Sequence, residues 1–223
     1  MTATYTFRWS ALIPYLPMFA RGLLVTVEIS IVSELLAIAV GLIAGIARIS
    51  GPRPTRMLAV AYIDFFRGVP LLVTLVWIYY GLSLLFHINI SAFSAGVFGL
   101  GVTYGAFLAE VFRAGIEAIP KGQTEAAHSL GLSRARTMRH IVLPQALRII
   151  LPPLANSFIG MLKDSSLVAI LSVTDLMRVG MIVAADTFRA FEAYTFVAVV
   201  YYVLTLITAR FAARIERLFP ILR

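Results

Sequence analysis

The sequence lacks cysteine altogether, and charged residues are scarce. With no cysteine among its 223 residues, the chain forms no disulfide bond. Only 13% of the residues are charged, whereas 60% are hydrophobic and the mean hydropathy is +0.91. Soluble domains carry about 25% charged and roughly 45–50% apolar residues. The composition therefore excludes an ordinary soluble domain and indicates a chain that lies in a lipid bilayer.

The motifs of several enzyme classes are also missing. No G-x-x-x-x-G-K-[ST] phosphate loop occurs, so we expect that the chain does not itself hydrolyse ATP. No H-E-x-x-H motif occurs, and the histidines, His87, His128 and His140, fall outside the predicted membrane cores. No metal site, Ser–His nucleophile pair or bound cofactor is therefore predicted in this chain. Because no repeat, low-complexity linker or second domain is visible, residues 1–223 are predicted to form one transmembrane domain.

Long apolar segments are the main structural signal. A spanning helix needs about 20 mostly apolar residues. The segments that approach or exceed this length are 22–47, 57–86, 92–112, 149–173 and 193–209. They predict an all-α, polytopic membrane protein with five transmembrane helices. Pro152 and Pro153 predict a break in the fourth segment, which would start its helix later than Ile149.

Basic residues are distributed unevenly over the connecting loops. Thirteen Lys and Arg residues lie in the loops 48–56 and 113–148 and in the C-terminal segment from Arg210, whereas four lie in the other loops. Cytoplasmic loops carry the excess of basic residues, so we expect the N-terminus outside and the C-terminus in the cytoplasm. The same rule explains the net charge of +8, and nucleic-acid binding is not expected.

A polar stretch from Glu125 to Pro144 separates two of the apolar segments. Residues 123–130 predict a short helix, and Gly131 can adopt the left-handed conformation that ends it. Ser133 predicts the N-cap of a second helix through His140, and Pro144 limits how far that helix runs without a kink. The pattern favours a helix–turn–helix surface that receives a soluble partner. Loop composition alone is equally compatible with an ordinary basic loop.

The spacing within this stretch resembles the EAA signature of ABC importer permease subunits. The matching residues are Glu125, Ala126, Ala127, Gly131, Ile141, Leu143 and Pro144. The segments RGLLVTVEIS, YIDFFRGVPLLVTLVWIYYGL, LPQALRIILPPLANSFI and LKDSSLVAILSV extend the likeness over nearly the whole chain. In these segments the chain resembles the polar amino-acid permease family of ABC importers.

The resemblance implies a type I ABC importer permease fold, with five transmembrane helices and a cytoplasmic EAA coupling loop at about residues 118–148. It implies a complex with a second permease subunit, identical or homologous, and with two separate ATPase subunits that bind ATP and Mg. It also implies an extracytoplasmic amino-acid-binding protein as a partner. The expected location is the inner membrane of a bacterial cell, where the chain contacts membrane lipid.

Polar and ionisable residues inside the predicted passes are the candidates for a substrate pathway, because such groups usually face a bundle interior or a wet cavity. The candidates are Glu28, Glu34, Asp64, Arg67, Asn156, Lys163, Asp164 and Ser165. Asp64 and Arg67 are three residues apart and could instead neutralise each other, as Glu110 and Arg113 could at the water interface. Lys163 and Asp164 could instead mark a helix end that packs against the neighbouring subunit.

We therefore expect the permease subunit of an ATP-driven importer for polar L-amino acids, with a slight preference for glutamate or aspartate. The preference rests on the N-terminal WSALIPYLP and on the extra cations in the membrane. The alternatives are a self-contained, ion-coupled secondary carrier and an intramembrane enzyme or scaffold whose basic loop docks a partner.

Overall fold

The computed structural model describes residues 6–218, and every regular element in that range is helical. In chain order the elements are a 3-10 helix (Trp9–Tyr15), α1 (Leu16–Ser50), α2 (Arg53–Gly68), α3 (Leu71–Val76), a π-helical turn (Trp77–Gly81), α4 (Leu82–Phe86), α5 (Ala92–Glu117), α6 (Lys121–Ser129), α7 (Arg134–Thr137), a second π-helical turn (Met138–Val142), α8 (Leu143–Asp164), a 3-10 helix (Ser165–Leu171), α9 (Leu176–Thr187) and α10 (Ala190–Leu218). The all-α prediction is confirmed for this part of the chain.

Four of the described helical segments are long and apolar enough to cross a membrane. They are Trp9–Ser50, Ala92–Glu117, Arg134–Leu171 and Ala190–Ile215. A fifth span results if α2 and the helix Leu71–Phe86 are taken together. These spans agree with the predicted five passes in number and order.

The second predicted pass, 57–86, is not one straight helix. Its two halves, Arg53–Gly68 and Leu71–Phe86, meet at 109°. Between them Val69 has φ −96° and ψ 133°, the extended conformation that a residue before proline favours. Because Pro70 also lacks the N–H that a continuing helix would need, the helix ends here and a new one begins.

The fourth pass is longer than the sequence indicated. Both Pro152 and Pro153 lie inside α8, so the expected later start of this helix is wrong. A membrane helix tolerates interior prolines, because neighbouring helices and polar side chains satisfy the freed carbonyl groups. Pro144 does not stop the helix either. The π-helical turn precedes it, and Gln145 Nε2 donates to the carbonyl oxygen of Ile141 at 2.8 Å.

The central contact of the fold joins α1 to α5, and it depends on glycine. A Cβ placed on Gly41 would lie 2.8 Å from the carbonyl oxygen of Gly105 and 2.9 Å from Leu108 Cβ. Only a residue without a side chain allows this approach of two backbones. The large, fully buried side chains of Ile29, Leu100 and Leu108 fill the interior around the contact.

A second small core joins α9 and α10 to the start of α1. The Oγ1 of Thr26 accepts the N–H of Leu176 at 3.0 Å, which ties the first residue of α9 to α1. Asp175 caps the same helix, because its carboxylate accepts the N–H groups of Met177 and Arg178. The irregular backbone between residues 171 and 176 is therefore held within protein.

We predict that Gly41→Val destabilises the protein by about 1–3 kcal/mol, because the added methyl groups meet backbone atoms of α5 that cannot move aside. Thermal unfolding of the purified protein in detergent, followed by far-UV circular dichroism, measures the effect. Gly122→Ala is the matched control, since nothing lies within 4 Å of a Cβ at that position. An unchanged unfolding temperature for Gly41→Val would show that the α1–α5 contact tolerates separation.

Candidate functional site

A cavity of about 500 Å³ lies where the second pass is broken. Its walls come from the break between α2 and α3, from the middle of α5 and from α8. The lining residues are Val69, Pro70, Leu71, Thr103, Tyr104, Phe107, Leu108, Val111, Asn156, Ser157, Gly160 and Asp164. The cavity is therefore mostly apolar, with a few polar groups at defined positions, as small-molecule sites generally are.

Asp164 is the charged member of the cavity lining in the part of the chain that the structure describes. The Tyr104 hydroxyl donates to its Oδ2 at 2.8 Å, which orients the carboxylate and leaves Oδ1 without a protein partner among the described residues. The hydroxyls of Thr103 and Ser157 are buried and have no hydrogen-bond partner within the same range. These groups can hydrogen-bond a molecule that enters the cavity, since a buried hydroxyl without a partner is costly.

The break in the second pass places a helix N-terminus at the cavity. Pro70 is the N-cap of the helix Leu71–Phe86, and both Pro70 and Leu71 line the cavity. The first N–H groups of a helix have no acceptor inside it, and the helix dipole makes that end partly positive. The cavity thus combines a partly positive helix end with the carboxylate of Asp164.

The sequence-derived candidates are distributed over several surfaces. Asn156 and Asp164 line the cavity. Lys163 follows Asn156 on α8 but is exposed outside the lining, and Ser165 is buried behind it and donates to the carbonyl of Leu162.

The two glutamates of α1 lie outside the cavity lining. Glu28 is exposed, whereas Glu34 is only 7% exposed and its carboxylate has no hydrogen-bond partner in the described range. Neither glutamate therefore belongs to the surface of the cavity.

The proposed pair of Asp64 and Arg67 does not form. Both side chains are exposed, and the guanidinium of Arg67 lies 5.5 Å from the centre of the Phe107 ring, a cation–π contact. Arg67 lies in the last turn of α2, close to α5. Its guanidinium therefore contacts the ring of Phe107 on α5 instead of the carboxylate of Asp64 on its own helix. The Glu110–Arg113 pair, by contrast, is confirmed with a distance of 2.9 Å, and Arg48 of α1 joins it.

The sequence analysis missed three polar residues of the cavity, namely Thr103, Tyr104 and Ser157. Each is a neutral polar residue within a long apolar segment, so it gives no charge signal. The sequence alone does not show that α5 and α8 pack side by side, so it could not place Tyr104 and Asn156 in the same cavity. The useful signal would have been the Gly68–Pro70 break, because broken membrane helices often mark a binding site.

The EAA loop, residues 118–148, forms a helical hairpin whose second arm continues into the span Arg134–Leu171. Helix α6 ends at Ser129, and Gly131, two residues further on, has the predicted left-handed conformation with φ +78°. Leu132 N donates to the carbonyl of Ala127, and Gly131 N donates to that of His128, the hydrogen-bond pair of a Schellman motif. Ser133 then caps α7, as predicted, by accepting the N–H of Arg136.

The outer surface of the EAA loop is exposed although parts of it are apolar. Leu130, beside the Gly131 turn, is 82% exposed. Glu125, Ala126, Gly131, Leu143 and Pro144 are exposed, Ile141 is half-buried, and Ala127 is buried as the anchor of α6. Helix α6 begins at Lys121, two residues before the predicted start at residue 123, so Glu125 lies in its second turn.

Comparison with known proteins matches the chain to one family. The family model described as "Binding-protein-dependent transport system inner membrane component" matches residues 37–219. The chain is similar to the glutamine transport system permease protein GlnP of Escherichia coli strain K12, at 38% identity over 97% of this chain and 99% of that protein. It is also similar to the arginine transport system permease protein ArtQ of Bacillus subtilis strain 168, at 36% identity over 94% and 95% of the two chains.

Solved structures give the same result for the fold. A chain of an amino acid ABC transporter crystallised with histidines superposes with a TM-score of 0.90 at 39% identity, over 96% of this chain and 99% of that one. A chain of the inward-facing MetNI methionine ABC transporter superposes with a TM-score of 0.80 at 21% identity, over 93% and 98%. The second likeness concerns the fold alone.

Proposed function

The chain belongs to the family of binding-protein-dependent transport system inner membrane components, and from this premise we propose that a polar L-amino acid crosses the membrane through the cavity between Pro70 and Asp164. The chain is a multi-pass permease subunit of an amino-acid ABC importer, and a separate subunit hydrolyses ATP. The secondary-carrier and intramembrane-enzyme alternatives are therefore set aside. The observation that carries the proposal is the presence of a carboxylate and a positive helix end in one cavity.

These two groups suit the two charges that every free amino acid carries. The free Oδ1 of Asp164 is available to accept from the α-ammonium, while the Tyr104 hydroxyl keeps the carboxylate oriented through Oδ2. The N–H groups at Leu71 and after it are available to the α-carboxylate. A zwitterion can therefore bind without a full cationic side chain in the lining.

The remaining polar groups of the cavity suit a polar side chain. Thr103, Asn156 and Ser157 offer hydroxyl and amide groups that can both donate and accept. The preference for glutamate or aspartate, which the sequence suggested, depends on cations such as Arg67 and Lys163, and neither residue lines the cavity. The relatives named for glutamine and arginine support a neutral or basic side chain at least as well.

The EAA loop is the surface that we assign to the ATPase. The residues exposed on this hairpin include Glu125, Ala126 and Gly131, whereas Ala127 is buried on its inner side. The small side chains allow close approach by a partner, and exposed Leu130 supplies apolar area at the turn. ATP-driven movement of two ATPase subunits would be transmitted through Ile141, Leu143 and Pro144 into α8, which carries Asp164.

The partners and the orientation follow from the family and from the charge distribution. ABC importer permeases work with ATPase and binding-protein partners. We propose two ATPase subunits, a second permease subunit and an extracytoplasmic amino-acid-binding protein. The EAA loop and the C-terminus face the cytoplasm in this arrangement, because the loops on that side hold most of the basic residues.

We predict that Asp164→Asn lowers the kcat/KM of uptake by about 10–100-fold, since a charge-assisted hydrogen bond to the substrate is lost. Uptake of a labelled substrate into proteoliposomes that contain the complete importer measures this change. Asp186→Asn is the matched control, because Asp186 is exposed and lies outside the cavity. Equal uptake by the Asp164 variant and the control would contradict the proposed cavity.

Competition among amino acids tests the side-chain class. Unlabelled aspartate, glutamine, histidine and arginine compete for uptake in the same proteoliposomes. We expect glutamine or arginine to compete more strongly than aspartate, because the full charge in the lining is negative. Stronger competition by aspartate would support the acidic preference and would place a cation near the substrate.

The turn at Gly131 tests the assignment of the EAA loop. A β-branched residue with φ near +78° costs about 1–2 kcal/mol, so Gly131→Val should reduce both uptake and substrate-stimulated ATP hydrolysis. Gly131→Asn should retain most of both activities, because Asn adopts this conformation more readily. If Gly131→Pro leaves uptake and ATPase stimulation intact, the loop is not the coupling surface.

A further inference from the structure

An apolar groove of about 400 Å³ runs along the contact between α1 and α2, starting next to the Gly51 turn. Each helix contributes four residues at the same helical spacing. The lining residues are Val40, Ile43, Ala44 and Ala47 of α1 and Thr55, Leu58, Ala59 and Tyr62 of α2. Because Ala44, Ala47 and Ala59 have small side chains, they leave room for the groove between the two helices.

The polar atoms of this groove are already satisfied. Thr55 Oγ1 donates to the carbonyl of Pro52 at 3.0 Å, and the Tyr62 hydroxyl donates to that of Val102 at 2.6 Å. The wall therefore offers hydrocarbon contacts and no free hydrogen-bonding group among its described residues. An occupant of this groove should itself be hydrocarbon.

A second, shallow groove of about 250 Å³ lies on the opposite side of α2 and is formed by side chains of that helix alone. It is lined by Arg56, Met57, Val60 and Ala61. Met57 and Leu58, which separate the two grooves, are each 71% exposed. The same few turns of α2 therefore present hydrocarbon side chains on both sides.

Two arginines stand at the end where both grooves begin. Arg53 and Arg56 are exposed and form no ion pair with a described residue, whereas nearby Arg48 is paired with Glu110. The first turn of α2 holds no acidic residue, so both cations add to the positive end of the helix dipole. This placement is unfavourable unless an anion lies beside it.

We infer that the start of α2 binds an anionic diacyl phospholipid, with its phosphate on Arg53 and Arg56 and its acyl chains in the two grooves. The two-groove arrangement matches a lipid with two chains, and the arginines match its charge. Basic groups next to membrane helices attract anionic lipids with about 1 kcal/mol for each Lys or Arg. A second copy of this chain is a poorer occupant, because it would bring the same two arginines and would not complement their positive charge.

Native mass spectrometry of the complete, delipidated importer tests the site. The importer in neutral detergent is titrated with dioleoylphosphatidylglycerol or with dioleoylphosphatidylcholine, and retained lipids are counted. We expect phosphatidylglycerol to bind more tightly, and its advantage to fall about fivefold for each arginine removed in R53Q and R53Q/R56Q. The matched control R214Q/R217Q removes two exposed arginines from the end of α10 and should keep the advantage.

A groove-filling variant separates the acyl-chain contribution from the charge. Ala47→Leu should weaken retention of both lipids while preserving the ratio between them. Equal binding of the two lipids to the unmodified importer, or an unchanged advantage in R53Q/R56Q, would overturn the inference. Loss of a permease subunit from the Ala47→Leu complex, seen in the same spectra, would also overturn it, because the groove would then be a subunit interface.

Discussion

Backbone N–H and C=O groups inside hydrocarbon have no water to bind, so a chain can leave the helical conformation only where protein or a cavity surrounds it. In the part of the chain that the structure describes, two of the departures from regular α-helix adjoin the cavity. One is the break at Gly68–Pro70, and the other is the change from α8 to a 3-10 helix after Asp164. Both lie at the same cavity, since Pro70 and Asp164 line it. The requirement for satisfied backbone groups thus explains why irregular backbone and polar side chains are found together.

Helix α5 connects this cavity to the rest of the molecule. Gly41 of α1 packs against its backbone, Tyr62 of α2 hydrogen-bonds its Val102 carbonyl, and its Tyr104 reaches Asp164 of α8. Near its other end, Gly115 allows close approach of Ile150, so the two helices that leave the EAA loop are packed together. A displacement of the loop should therefore move α5 and α8 as one unit. Because both helices line the cavity, the proposed coupling needs no further connecting element between the loop and the cavity.

The sequence was informative where a single residue type determines the local structure. Gly131 predicted a left-handed turn, Ser133 predicted an N-cap, and the lengths of the apolar segments predicted the spans. The polar residues of the cavity were not predictable in this way. Thr103, Tyr104 and Ser157 line the cavity because α5 and α8 face each other, and no single residue type indicates that packing. Arg67 shows the same limit: its spacing from Asp64 allowed an ion pair, but Phe107 of another helix offered a better contact. Prolines were misleading in α8, where tertiary contacts support a helix that local preference would end.

The small number of charges in the cavity fits a protein that must release what it binds. A full ion pair at both ends of a zwitterion, buried away from water, would hold the substrate too tightly for rapid passage. A single carboxylate, partly engaged by Tyr104, and a helix end with a partial positive charge provide weaker and graded attraction. The broken helix therefore does more than create space, because it also places a partly positive helix end in the same cavity as Asp164.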